Sequence, residues 1–139
     1  MSYQRSTRYA LYAAIEMAAA PANRLVTAAE VATKYALPPT VLAKIFQRLA
    51  RAGLAIGARG TTGGYRLARP AAEVSVLEVV ELFEGEAPAA NRRADRAEEP
   101  APRRAADARL RDLFAEIDEQ ARATLASVTL ATLVAPRRP

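Results

Sequence analysis

Neither cysteine nor histidine occurs anywhere in the 139 residues, and tryptophan is missing too. Without cysteine there are no disulfides, no thiolate nucleophile and no thiolate-ligated iron–sulfur cluster. Without either residue the usual zinc ligands are gone, and without histidine so is the commonest general base near neutral pH. No apolar run approaches the length of a membrane span, and no charged-then-apolar leader opens the chain, so a cytoplasmic protein is expected. An enzyme is not: catalysis would rest on carboxylates, and these fall mostly at helix caps or on polar helix faces. Dense alternating acids of the calcium-loop type are lacking as well, so neither a metal nor a cofactor is expected.

What is present is alanine, arginine and an uneven charge. The hydrophobic fraction is 51%, but much of it is alanine, which favours helix and buries little area per residue. A helical protein with a thin core follows. The net charge is +5, unevenly divided. Residues 1–69 hold ten Lys/Arg against two acids, Glu16 and Glu30, whereas residues 70–139 hold ten against thirteen. A basic head on a less charged body suits a polyanion partner.

Five helical patterns and one hairpin pattern can be read. Ser6 or Thr7 caps a first helix whose face is Leu11, Ala14, Ile15 and Ala18, and Pro21 ends it. Thr27-Ala28-Ala29-Glu30 is a capping box opening a second helix, with Ala28, Val31, Ala32 and Tyr35 as its apolar face. Leu37-Pro38-Pro39-Thr40 breaks that helix and starts a third, since proline suits a first turn. There Leu42, Ile45, Phe46 and Leu49 form the core face and Gly53 the left-handed stop. Leu54–Ala58 reads as a half-buried strand, Tyr65-Arg66-Leu67 as its return, and the glycine-rich Arg59–Gly64 as the tip. No Gly-Lys-Ser/Thr follows, so the tip is not a nucleotide-phosphate loop.

A second capping box, Ser75-Val76-Leu77-Glu78, opens a fourth helix that buries Val76, Val79, Val80 and Phe83 and stops at Gly85. Residues 86–106 show no periodicity and read as a loop. From about Asp107 a fifth helix carries Leu110, Leu113, Phe114, Ile117, Ala121 and Leu125, and Thr129 caps a last short turn holding Leu130 and Leu133. The domains expected are 1–85, 86–106 and 107–139. The fold class is mainly α: a winged helix-turn-helix, three helices plus a β-hairpin wing, with a long C-terminal helix.

A helix-turn-helix followed by a basic hairpin divides the labour of reading duplex DNA. The third helix fits the major groove, with Pro39, Thr40, Val41 and Lys44 pointing away from its core face. Thr40 suits a base or phosphate, Val41 a thymine methyl, and Lys44 a guanine or phosphate; Arg48 and Arg51 suit the backbone. Arg59, beside Gly60, suits a phosphate or the narrow minor groove, and Thr61 and Thr62 suit phosphates. Arg5, Ser6, Thr7 and Arg8 can clamp phosphates from the first helix. Tyr65 is read as packing at the wing base.

Arg8-Tyr9-Ala10-Leu11, Glu30-Val31-Ala32, Leu42 with Ile45-Phe46 and Leu49, Ala52-Gly53-Leu54 and above all Arg59-Gly60-Thr61-Thr62-Gly63-Gly64-Tyr65-Arg66-Leu67 carry a resemblance. Together they resemble the Rrf-two family of winged helix-turn-helix transcription regulators across nearly the whole chain. The resemblance implies a homodimer joined mainly by the C-terminal helix and bound to a pseudo-palindromic operator, with Pro39, Thr40, Val41, Lys44 and Arg59 facing the DNA. Two departures stand out. An acidic residue used for site discrimination in some members is matched by Ala43. Where cluster-binding members place three cysteines, this chain has Arg92, Arg93, Glu98, Glu99, Arg103, Arg104 and Asp107. The expected function is a DNA-binding repressor, a homodimer without a cluster; the alternative is a winged-helix interaction module that has lost specific DNA binding. The effector, a small molecule or a protein, has no signature.

Overall fold

The structure, a computed structural model, describes residues 3–59, 63–85 and 99–136. Its elements are α1 (Arg5–Ala19), α2 (Ala28–Tyr35), α3 (Pro39–Arg51), β1 (Ala55–Ala58), β2 (Gly64–Leu67), a 3-10 turn at Ala71–Glu73, α4 (Val76–Glu84), α5 (Ala101–Ser127) and α6 (Leu130–Val134). Chain order and hairpin match the winged helix-turn-helix expected from the sequence.

Small side chains decide where α1 lies. Ala10, Ala13, Ala14 and Met17 are buried, and α1 packs against α2, α3, α4, α6 and β2. The face expected from the sequence, Leu11, Ala14, Ile15 and Ala18, is rotated from the true one: only Ala14 is buried, the others half-buried. An alanine side chain lets helix axes approach closely, so the tightest contact falls where side chains are smallest. Neither Ser6 nor Thr7 caps α1; Gln4 does, without a side-chain bond. Thr7 is instead fully buried (0% exposed), its Oγ1 donating to Glu84 Oε1 at 2.7 Å, while the same oxygen accepts from the Gln4 amide at 2.7 Å. The last turn of α4 therefore holds the first turn of α1.

In α3 the i, i+3, i+4, i+7 pattern does what it promised: Leu42, Ile45, Phe46 and Leu49 are all buried. Truncating a side chain such as Phe46 to alanine would cost roughly 3–5 kcal/mol. Pro39 stands at the first position of α3, and Gly53 takes φ 79°, as its stop requires. The turn between α2 and α3 holds Ala36 at φ 55°, a left-handed position filled without glycine.

The wing has a third partner that the periodicity did not show. β1 and β2 pair antiparallel, Ala55 opposite Leu67 and Ala58 opposite Gly64. Val26 then joins the outer side of β2 through two backbone bonds with Tyr65, at 2.8 and 2.7 Å. Gly64 makes that approach possible: a Cβ there would sit 2.9 Å from the Val26 carbonyl oxygen. The half-buried alternation expected over Leu54–Ala58 does not hold. Leu54 and Ala55 are buried, but Ile56 is exposed, because no described residue covers the outer face of the hairpin.

The capping box at Ser75 and Glu78 is complete. At Thr27 it is half-formed: Thr27 Oγ1 accepts from the Glu30 amide, while the Glu30 carboxylate turns to Arg24 at 3.0 Å. The long helix begins at Ala101 rather than near Asp107, so residues 101–106 are helical and the segment read as a 86–106 loop is shorter at that end. Residues 86–98 lie outside the described part. After α5 the chain returns to the head. Val76 donates to the Val128 carbonyl at 2.8 Å and Leu130 to that of Val74 at 2.9 Å, and Leu130 is fully buried in the same core. Arg122 on α5 pairs with Glu81 on α4 at 2.5 Å.

Candidate nucleic-acid interface

The face of α3 opposite its core carries Thr40, Lys44, Gln47 and Arg51, all exposed. These positions recur at i, i+4, i+7 and i+11, a single stripe on a 3.6-residue helix. Pro39 is exposed beside them; Val41, expected to point away from the core, is instead half-buried against it, because it lies one position from Leu42 on the helix edge. Two shallow grooves flank the stripe. One, of about 340 Å³, runs between α3 and the wing and is lined by Gln47, Arg51, Gly57, Arg59 and Tyr65. The other lies toward α4 and is lined by Lys44, Gln47, Arg48, Arg51 and Leu82. Among the described residues no acidic side chain lines either groove.

The wing is set against α3 by aromatic packing. The Tyr65 ring stacks on Phe46, centroids 4.8 Å apart and planes 21° from parallel, which makes Tyr65 the packing residue expected. Gly57 leaves room for that ring, since a Cβ there would meet Tyr65 Cε1 at 3.0 Å. Arg59, exposed at the end of β1, is thereby held on the α3 side of the hairpin. Gly60, Thr61 and Thr62, the other wing residues singled out in the sequence, lie outside the described residues. Arg8 is exposed on the first helical turns of α1, as is Arg5. Thr7, expected to clamp phosphate, cannot do so, being buried against Glu84.

Arg48 also departs from expectation. Its Nη2 donates to the Leu82 carbonyl at 2.7 Å, and its guanidinium lies 4.6 Å from the Phe83 ring centroid. This side chain, half-buried, ties α3 to α4. Spacing could not reveal it, because Arg48 is one position from the exposed stripe and its partners lie 34 and 35 residues away.

The angle between α2 and the first helix is held by a polar cluster. Glu16 on α1 accepts from Tyr35 Oη at 2.8 Å and pairs with Lys34 Nζ at 2.8 Å, and Tyr35 stacks on Tyr12 at 4.6 Å. Partial burial alone would push the Glu16 carboxyl up. Hydrogen bonds from Lys34 and Tyr35, with the charges of Lys34 and Arg24, outweigh it and hold the group below the usual carboxylate range. Burial, the hydrogen bond to Glu16 and its negative charge push the Tyr35 phenol up to about 12.

On α5, Leu110, Leu113, Phe114 and Ile117 are 45%, 50%, 55% and 40% exposed, and no residue of that helix is buried. Ala121 and Leu125, toward its C-terminal end, are half-buried, Leu125 against the head. A run of large apolar side chains on one helix face is the signature of a surface meant to be covered.

A basic winged helix-turn-helix with an uncovered apolar helix belongs to the DNA-binding transcription regulators. The chain belongs, more narrowly, to the Rrf2 family, described as iron-dependent transcriptional regulators, whose profile matches residues 3–136. Over 134 residues it is 39% identical to a protein named as the HTH-type transcriptional regulator BadM of Rhodopseudomonas palustris, covering 96% of this chain and 81% of that one. Over 86 residues it is 40% identical to the HTH-type transcriptional regulator IscR of Cereibacter sphaeroides, covering 60% of this chain and 56% of that one. Among solved structures, the oxidised form of CymR from Staphylococcus aureus superposes over the whole of both chains with a TM-score of 0.76 at 25% identity.

The thiolates that would hold an iron–sulfur cluster are missing from the chain. The chain has no thiolate or imidazole to offer, and among the described residues no three carboxylates come together as a metal site. Nor, among the described residues, is any helix long and apolar enough to cross a membrane.

Proposed function

We propose that this protein is a sequence-specific repressor that binds a pseudo-palindromic operator as a homodimer and does so without an iron–sulfur cluster, in the cytoplasm and with no enzymatic activity. The observation that carries the reading is the cationic surface formed by Lys44 and Arg51 on α3 and Arg59 on the wing, with no acid among the described residues that line the two grooves between. Cations so placed meet phosphates on either side of a groove, and the stripe of α3 between them meets base edges. Pro39, Thr40, Val41, Lys44, Arg59 and, from α1, Arg8 are assigned to the DNA, with Gly60, Thr61 and Thr62 at the wing tip. Leu110, Leu113, Phe114 and Ile117 of α5, continued by Ala121 and Leu125, are assigned to the two-fold partner. Repression then follows from occupancy of the operator.

The test is footprinting on the chain's own upstream region, followed by a salt titration with the native chain and Arg59→Ala. Affinity should fall steeply with salt, because phosphate contacts release counterions. Arg59→Ala should retain the native helix content and lose most specific binding. A native chain that protects no fragment would favour the protein-interaction reading instead, and an Arg59→Ala variant with unchanged operator affinity would remove the wing from the site.

A further inference from the structure

The side chains around the two grooves that flank α3 are unequal in what they can read. Lys44, Arg51 and Arg59 are full cations, whose strongest attraction is to phosphate whatever the sequence. Arg48 is committed to α4. Tyr65 is stacked on Phe46. Thr40, at the start of the helix, has a single hydroxyl and cannot pair with two groups of a base edge at once. That leaves Gln47, the one carboxamide on α3. It is exposed, lies in the middle of the Thr40–Lys44–Gln47–Arg51 stripe, and lines both flanking grooves at once. Its carboxamide makes no hydrogen bond to any described residue, so its donor and acceptor are both available.

From this we infer that Gln47 is a base-reading residue of this regulator, taking an adenine in the major groove. The inference deepens the proposed function and rests on it. A primary amide presents an N–H and a C=O side by side, and adenine presents N7 and the N6 amino group with matching separation and opposite sense. Neither ammonium nor guanidinium offers an acceptor, so neither can make that pair. Cations on three sides supply the complementary element: Lys44 one turn before, Arg51 one turn after and Arg59 across the groove bind phosphates and fix the register of α3. The amide between them is then held at a constant depth. Ala43, beside Lys44, has no polar atom to share in the reading, which concentrates the discrimination of the middle of α3 on Gln47.

Selection of bound sequences from a randomised duplex pool tests the assignment, using the full chain in three forms: native, Gln47→Ala and Gln47→Glu. The native chain should enrich a palindrome with an adenine at one position of each half-site. Gln47→Ala should lose preference at that position alone, about 5- to 150-fold in discrimination, with the other positions retained. Gln47→Glu should move the preference at that position toward cytosine, whose amino group a carboxylate accepts. An unchanged motif in both variants, or a uniform loss of affinity with the motif intact, overturns the inference while leaving the proposed function standing. If the native chain enriches no motif at all, the proposed function itself fails. Gln47 is exposed and outside the core, so circular dichroism should show both variants folded like the native chain.

Discussion

Replacing Phe114 on α5 should separate the two protomers of the proposed dimer without unfolding either. The ring is 55% exposed, and its neighbours Leu110, Leu113 and Ile117 are 45%, 50% and 40% exposed. Covering a whole side chain of this kind is worth roughly 1.5–3 kcal/mol, so covering the half left open contributes about 1 kcal/mol each. Four such side chains from each protomer amount to about 8 kcal/mol, against an association cost of roughly 4–15 kcal/mol. The two terms are of comparable size, so the strip holds a dimer near the margin and each ring matters. A two-fold axis removes two rings with one substitution. Phe114→Ala should lose about 2–3 kcal/mol, weakening the dimer about 30- to 150-fold. Phe114→Asp should weaken it further by placing two carboxylates on the seam. Sedimentation velocity over a dilution series measures the constant directly, and operator binding should become concentration-dependent in parallel. A dimerisation constant unmoved by either variant would refute the reasoning, and so would a native chain that stays monomeric at every concentration.

Two other perturbations follow from the contacts. Arg48→Ala should lower the stability of the head by about 1–2 kcal/mol, through the lost bond to the Leu82 carbonyl and the lost contact with Phe83. Thermal melts read that loss. The salt slope of DNA binding should stay as it was, whereas loss of a true phosphate contact would reduce it by about 1. Acid should act through Glu16. Its carboxyl lies below the value of 4.5 it would have in the unfolded chain, so the stability it lends is complete above pH 4.5 and disappears as pH falls through the depressed folded value. The Tyr35 phenol works in the opposite direction, its contribution being lost as pH rises from 10.0 to about 12. Urea denaturation of Glu16→Gln against pH should show a shallower fall below 4.5 than the native chain; identical slopes would remove Glu16 from the acid response.

How much of the molecule could be read in advance depended on how local the cause was. The core face of α3, the stop at Gly53, the full capping box at Ser75 and Glu78, and the Thr129 cap all depend on residues within one or two helical turns, and all stand as read. The buried face of α1 differs from the expected one for a related reason. Its alanines give little hydrophobic contrast around the helix, so the face cannot be chosen until a neighbour presses against it. The half-formed cap at Thr27 shows the same limit at smaller scale: Glu30 has a choice between its own backbone and Arg24, and the fold brings Arg24 to it.

The sequence by itself determined the class of protein: the order of helices, the glycine-rich wing, the cationic head and the lack of any thiolate or imidazole ligand. These follow from periodicity, proline and glycine placement, and composition, none of which needs a contact distant in the chain. Only the tertiary structure decided which cations are available. It drew Arg48 onto α4, buried Thr7 beneath Glu84, returned Leu130 to the core 54 residues after Val76, and left Gln47 uncommitted between two grooves. The physical reason is that a polar side chain takes the partner that folding brings within hydrogen-bond reach, and that partner can lie anywhere along the chain.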